Sequence, residues 1–330
     1  MARFSCFKWM FSCAFMALLA TAAPLAAAAA DGEPAPGSPD RIALWPAGLA
    51  PGDKALAEPL HLVERSTDPA LPDRYVTHVS EPYLVVYRPT RPNGVGLLVT
   101  PGGGYQRVVL DKEGSALAPA FAARGGVTLF VLRYRLPGEG RADREAALAD
   151  AQRALRLIRA RAAQWQLDPH RVGVMGFSAG GHLAARLATG FDAPAYPATD
   201  AIDRVSARPD MALLIYPVID MAGPDTHGGS RERLLGPQPT PALMHQYAMQ
   251  QHVRTDMPPV FLVHAQDDPA VPVGNSLAFY QALLRAHVPA EMHLFTHGGH
   301  GFGVRGTVGL TTAAWPRLAL DWIAAQATTP

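Results

Sequence analysis

Short, unbroken apolar runs recur along this chain, each closed by glycine, proline or a charged residue, and longer segments of helical period fall between several of them. "EPYLVVYRP" and "GVGLLVTP" read as strands, and "GVTLFVLRYRLP" joins them on its β-branched content. From Arg144 to Gln166 alanine, leucine and isoleucine recur on one face, with Arg153, Arg156 and Arg159 mostly on the other, which predicts a helix. Next come the strand "RVGVM", a helix, "MALLIYP", a loop-rich insert from about Ile219 to Met257, and "PPVFLVHA". A helix from Ser276 to Ala286, the strand "AEMHLF" and a last helix through "AAWPRLALDWIAA" complete the series. Strands that alternate with helices predict an α/β fold with a mostly parallel sheet and helices on both faces. No internal repeat or composition break divides residues 52–330, so they read as a single domain.

The first thirty residues follow a different pattern. Arg3 and Lys8 precede an apolar stretch from Trp9 to Leu19, and "PLAAAAAD" supplies small residues of the A-x-A kind. Residues 1–30 therefore read as a signal peptide cleaved near Ala30, which predicts an exported protein, periplasmic or extracellular. The apolar run is short for a membrane span, so no membrane association is expected after cleavage. Both cysteines, Cys6 and Cys13, leave with that segment, and any nucleophile must be another residue type. Residues 31–51, rich in proline, glycine and alanine, read as an N-terminal linker or an arm laid over the domain surface.

With 48% hydrophobic and 17% charged residues the chain is neither disordered nor highly charged, and its formal net charge is +1. That balance gives no basic footprint for nucleic acid and favours a neutral substrate over a polyanion.

One stretch has no rationale in packing. "GFSAGGH" places Ser178 between Gly176 and Gly180 where a strand passes into a helix, although glycines weaken both kinds of element. The G-x-S-x-G spacing fits a nucleophile elbow: small residues two before and two after the serine let the chain turn sharply and expose its hydroxyl. The elbow lies at the carboxyl end of its strand, where parallel sheets bind ligands, and the next helix offers free N–H groups to developing negative charge.

A serine nucleophile needs a base and an orienting carboxylate. "VHAQDDPAVP" puts Asp267 and Asp268 just past one strand, and "THGGHGFG" puts His297 and His300 just past the next. The order Ser, Asp, His is that of α/β-hydrolases, and all three loops fall at one sheet edge. His300, flanked by Gly299 and Gly301, is the candidate base, while either aspartate is placed to orient it. His293, His297 and His300 match no familiar zinc spacing, and His182 reads as a packed histidine. For the oxyanion, "TPGGGYQ" offers Gly103 and Gly104 as backbone donors together with the N–H of Ala179, and Tyr105 is expected to border the substrate pocket. "PGGGY" lacks both a lysine and the G-x-G-x-x-G spacing of nucleotide loops, so no nucleotide site is expected there, and acyl transfer by serine, histidine and aspartate requires neither metal nor organic cofactor.

Taken together, "PGGGY", "GFSAGGHLA", "YPVIDM", "DDPAVP" and "GGHGFG", with the "DAQRALRLIR" helix before the elbow, resemble the exported bacterial acetyl-esterase and xylan-esterase-like branch of the α/β-hydrolases, related to feruloyl-esterase-like enzymes. The similarity runs from about Leu44 to the last helix. It implies a triad of Ser178, Asp268 and His300, with Asp268 rather than Asp267 matching the aspartate of the branch. It also implies removal of small acyl groups, commonly acetyl, from carbohydrate such as acetylated xylan. Pro101 stands where the wider lipase and esterase group has the histidine of "HGGG". Two rival classes are a serine peptidase of the same fold, usually gated by a large extra domain, and a non-catalytic binding protein, which has no use for a base beside a nucleophile.

Overall fold

The computed structural model describes residues 1, 2, 40–139 and 143–326; residues 3–30 of the expected signal peptide and 31–39 of the expected linker lie outside them. Eleven strands are described: β1 (Arg41–Ala43), β2 (His61–Glu64), β3 (Arg74–Thr77), β4 (Tyr83–Tyr87), β5 (Gly96–Thr100), β6 (Val108–Val109), β7 (Thr128–Arg133), β8 (Val172–Phe177), β9 (Ala212–Ile215), β10 (Val260–Ala265) and β11 (Ala290–Phe295). The helices are α1 (Ala146–Ala160), α2 (Ser178–Thr189), α3 (Gly228–Leu235), α4 (Pro241–Gln246), α5 (Gly274–Arg285) and α6 (Trp315–Gln326).

Eight strands form the main sheet in the order β1-β4-β7-β5-β8-β9-β10-β11. The six from β7 to β11 run parallel, and β4 and β1 pair antiparallel at one edge. Strands buried on both faces must be apolar throughout, which is why "GLLVT" and "VGVMGF" show no alternation. Their side chains nevertheless divide by the two-residue period. Leu98, Phe130 and Val174 enter a core shared with α1, α2 and α5, whereas Leu97, Val131 and Met175 enter one shared with α6 and the helical turn Pro119–Arg124.

Three departures from expectation matter for the site. First, residues 41–50 are no surface arm: β1 completes the sheet edge, and Leu44 and Trp45 are buried. Trp45 Nε1 donates to Asp150 at 3.1 Å, and Asp150 in turn holds the buried Arg135 at 2.7 Å, so this segment is part of the core. Second, β2, β3 and β6 make a separate antiparallel sheet. Its strands are two to four residues long, β2 mostly exposed and β3 mostly half-buried, with too few apolar positions to register as a pattern. Third, the insert is more helical than its composition suggests. Thr240 caps α4 by accepting the N–H of Leu243, and Pro241 starts that helix where a missing N–H does no harm.

Among the described residues no helix is long and apolar enough to cross a membrane.

Candidate active site

β8 passes directly into α2, and Ser178 is the hinge, with φ at +52°. A non-glycine residue held there is strained by roughly 1–3 kcal/mol, which the surrounding packing must offset. The flanking glycines make the turn possible. A Cβ at Gly180 would stand 2.1 Å from the carbonyl oxygen of Thr100, and one at Gly176 would stand 2.3 Å from that of Gly180.

Ser178 Oγ lies 2.9 Å from His300 Nε2, and His300 Nδ1 lies 2.7 Å from Asp268 Oδ2. The carboxylate fixes the tautomer: Nδ1 carries the proton, leaving Nε2 to accept from the serine hydroxyl. Asp268 is itself immobilised. Oδ1 accepts the N–H groups of Ala270 and Val271, at 2.9 and 2.8 Å. On its other oxygen, the buried His264 Nε2 approaches Oδ2 at 3.3 Å while also 3.0 Å from the carbonyl of Val271, so that nitrogen must be the protonated one. Burial alone would raise the Asp268 pKa, but the hydrogen bonds from His264, His300 and Val271 outweigh it and hold the carboxyl well below its usual range.

The neighbouring aspartate has different work. Asp267 accepts the N–H groups of Gly298 and Gly299, at 3.0 and 2.8 Å, and approaches His297 at 3.2 Å, shaping the histidine loop from outside. His293 pairs with Glu291 at 2.7 Å, so the three histidines go to three separate carboxylates and form no shared ligand set. Among the described residues one group has ligand atoms within 4.8 Å of one another, Glu58, His61 and His78, and it lies mostly exposed on the small sheet.

Gly103 and Gly104 occupy the loop after β5 with φ at +131° and +66°. Among the described residues no acceptor takes the N–H of either. Ala179 is the second residue of α2, so its N–H has no partner within the helix. Gly103 and Gly104 line the same cavity as Ser178, which Ala179 follows, so the three expected oxyanion donors have hydrogen-bonding capacity to spare beside it.

Tyr105 requires a correction. It does not border the pocket: its side chain is fully buried, and its hydroxyl donates to His182 Nδ1 at 2.8 Å. His182 Nε2 in turn donates to the carbonyl of Tyr247 at 2.8 Å. Burial and the nearby Arg186 cation push the His182 pKa down to about 3, so the imidazole is neutral, a packed histidine as expected. With φ at +58°, Tyr105 makes the turn of the glycine loop and its side chain ties that loop to α2 and the insert.

Sequence reasoning missed Glu113 and Tyr216. Glu113 is buried, with Oε2 accepting the N–H of Gly102 at 2.7 Å and Oε1 accepting the hydroxyl of Tyr216 at 3.0 Å. The same hydroxyl accepts the N–H of Gly303 at 3.0 Å, and the Tyr216 ring packs edge-on against His300, 5.2 Å between centroids. One carboxylate thus joins the glycine loop to the histidine loop. The only signal was an acid among apolar and small residues in "LDKEGSALA".

A cavity of about 470 Å³ opens over Ser178 and His300, floored by Gly103 and Gly104. The insert forms part of its wall, as expected, through His227, Gly229, Glu232 and Arg233. His227 Nδ1 accepts the N–H of Ser230 at 3.1 Å, capping α3, so its proton sits on Nε2. Burial, reinforced by nearby His300, lowers its pKa. A larger cavity of about 820 Å³ lies elsewhere, and among the described residues its walls carry no hydroxyl or thiol.

A hydroxyl, a base and a carboxylate in series, beside free backbone donors, can attack an acyl carbon and stabilise the resulting oxyanion. A family model, BD-FAE, matches residues 94–283, more than half of the chain, a stretch that contains Gly103, Gly104, Ser178 and Asp268 and ends before His300. The chain belongs to the BD-FAE family. It is also 34% identical over 224 residues to an acetylxylan esterase from Xylanibacter ruminicola, covering 67% of this chain and 43% of that protein. It is 36% identical over 209 residues to endo-1,4-beta-xylanase B of Butyrivibrio fibrisolvens, covering 63% and 32%. The matched region thus spans less than half the length of these two relatives. Among solved structures, the acetyl ester-xyloside bifunctional hydrolase from Caldicellulosiruptor lactoaceticus superposes with a TM-score of 0.71 at 35% identity, covering 88% of this chain and 97% of that one. A carboxylesterase from Lactobacillus plantarum gives 0.61 at 26% identity, covering 82% and 98%. These likenesses bear out the expected α/β-hydrolase fold and the resemblance to its acetyl-esterase branch.

Proposed function

We propose that this BD-FAE family member is a serine carboxylester hydrolase that removes short acyl groups, acetyl foremost, from carbohydrate esters such as acetylated xylan, and that it acts after export. The observation that carries this reading is the unbroken series Ser178, His300, Asp268, at 2.9 and 2.7 Å, beside N–H groups that have no other partner among the described residues.

In this reading His300 Nε2 takes the hydroxyl proton as Ser178 Oγ attacks the ester carbonyl. Asp268 holds the imidazole tautomer and stabilises the imidazolium. Gly103, Gly104 and Ala179 donate to the oxyanion; one such donor is worth roughly 3–4 kcal/mol in the transition state. His300 then returns the proton to the leaving alcohol, and water attacks the acyl-enzyme by the same steps. The acyl group is proposed to be acetyl because the acetylxylan esterase and the acetyl ester-xyloside hydrolase are among the relatives.

The test is hydrolysis of p-nitrophenyl acetate, butyrate and octanoate by wild type and Ser178→Ala. Turnover that falls steeply from acetate to octanoate and is lost in the variant supports the reading. Equal rates in the two proteins would refute it.

A further inference from the structure

The chain as a whole is nearly neutral, yet the cavity over Ser178 is not. Arg65, Arg107, Lys112 and Arg233 line it, against Glu113 and Glu232. Glu113 is buried with both oxygens already hydrogen-bonded, and the exposed Glu232 adjoins Arg233 on α3. Arg65 is paired with Asp73 at 2.7 Å. Arg107 and Lys112 have no carboxylate within ion-pair distance among the described residues, and Arg107 Nε is buried with no acceptor there.

These cations are held in place. The guanidinium groups of Arg65 and Arg107 both stack on the ring of Tyr75, at 5.4 and 5.2 Å from its centroid, so two like charges share one platform on the small sheet. Lys112 lines the same cavity. A Cβ at Gly301 would lie 3.4 Å from its Nζ, which puts the ammonium beside the residue that follows His300. His300 is the group that returns a proton to the departing alcohol, so this is the alcohol side of the scissile bond.

We infer that the ester cleaved here carries an anionic group, a carboxylate on its alcohol portion, as in an acetylated uronate or a uronate-bearing saccharide, and that Arg107 and Lys112 bind that carboxylate. The inference rests on the esterase reading and narrows its substrate class. It also refines the expectation of a neutral substrate: one carboxylate needs only a local pair of cations, with no basic surface of the kind a polyanion requires.

The test compares acetylated methyl glucuronoside with the matching acetylated glucuronamide, which differ in charge and hardly in shape. Wild type should show kcat/KM about tenfold higher for the glucuronoside at low salt, the preference shrinking as ionic strength rises. In Arg107→Gln/Lys112→Gln the ratio should approach one. Equal kcat/KM for the pair in wild type, or a preference that survives in the double variant, would overturn the inference. Release of acetate from neither compound by an enzyme that turns over p-nitrophenyl acetate would also overturn the inference, whereas no turnover of p-nitrophenyl acetate would overturn the esterase reading beneath it.

Discussion

Two aspartate–histidine pairs sit side by side at the carboxyl edge of this sheet, and only one of the two continues to Ser178. Asp268 and His300 are 2.7 Å apart, with the carboxylate side chain fully buried and the imidazole 22% exposed. Asp267 and His297, from the same two loops, are 3.2 Å apart and 42% and 70% exposed. Residue type, spacing and strand context are nearly the same. What separates the pairs is burial and what else holds the carboxylate: Asp268 is fixed by two backbone N–H groups and by His264, and it faces the imidazole that reaches Ser178. In water an exposed ion pair is worth little, whereas a dry, fully hydrogen-bonded one can fix a tautomer.

The sharpest way to break this comparison is to remove each histidine in turn. His300→Ala should lower kcat by about 10³-fold or more, since serine and base act as a unit, while His297→Ala should change it by less than about tenfold. Steady-state kinetics on p-nitrophenyl acetate read both, and comparable losses would dissolve the distinction. Exchanging the acids comes next. Asp268→Asn should cost about 10³- to 10⁴-fold in kcat by favouring the wrong tautomer, and Asp267→Asn only a few-fold through loosening of the loop. Reversal of that order would move the orienting acid by one position.

A smaller effect is expected at Glu113, which acts on the reacting groups through Gly102 and Tyr216. Glu113→Gln should lower kcat by about 10- to 100-fold with KM little changed, because the oxyanion loop and the histidine loop lose their common anchor. A change confined to KM would contradict a positioning role. The smallest signal is in stability. The Asp268 pKa is depressed in the folded state, so its contribution is complete above the ordinary carboxylate value, about 3.9, and is lost as pH falls toward the folded value. Chemical denaturation between pH 5 and 3 should therefore be less pH-dependent in Asp268→Asn than in wild type. Equal slopes would show that the carboxylate gains nothing on folding.

The parallel strands were legible because strands buried on both faces must be apolar throughout, and the elbow because Gly176 and Gly180 have no other purpose. The triad order was legible because each member follows a strand. The choice between Asp267 and Asp268 needed resemblance to a family, since burial is invisible in adjacent identical residues. Tyr105 misled for a related reason: beside a glycine loop an aromatic reads as pocket lining, while its backbone turn and the partner His182, 77 positions away, decide otherwise. Glu113 depends on loops that meet only in space, its bond to Tyr216 spanning 103 positions. β1, β2 and β3 are too short and too mixed in polarity to show a period, and β6 is only two valines, although β1 completes the sheet edge and the small sheet carries the arginine platform.

The most direct test of the central claim is to label the protein with a fluorophosphonate and map the modified residue by mass spectrometry in wild type, His300→Ala and His297→Ala. The account expects one adduct, on Ser178, formed at a near wild-type rate in His297→Ala and at least about a hundredfold more slowly in His300→Ala. An adduct on another residue, or equal labelling of Ser178 in the two histidine variants, would contradict it.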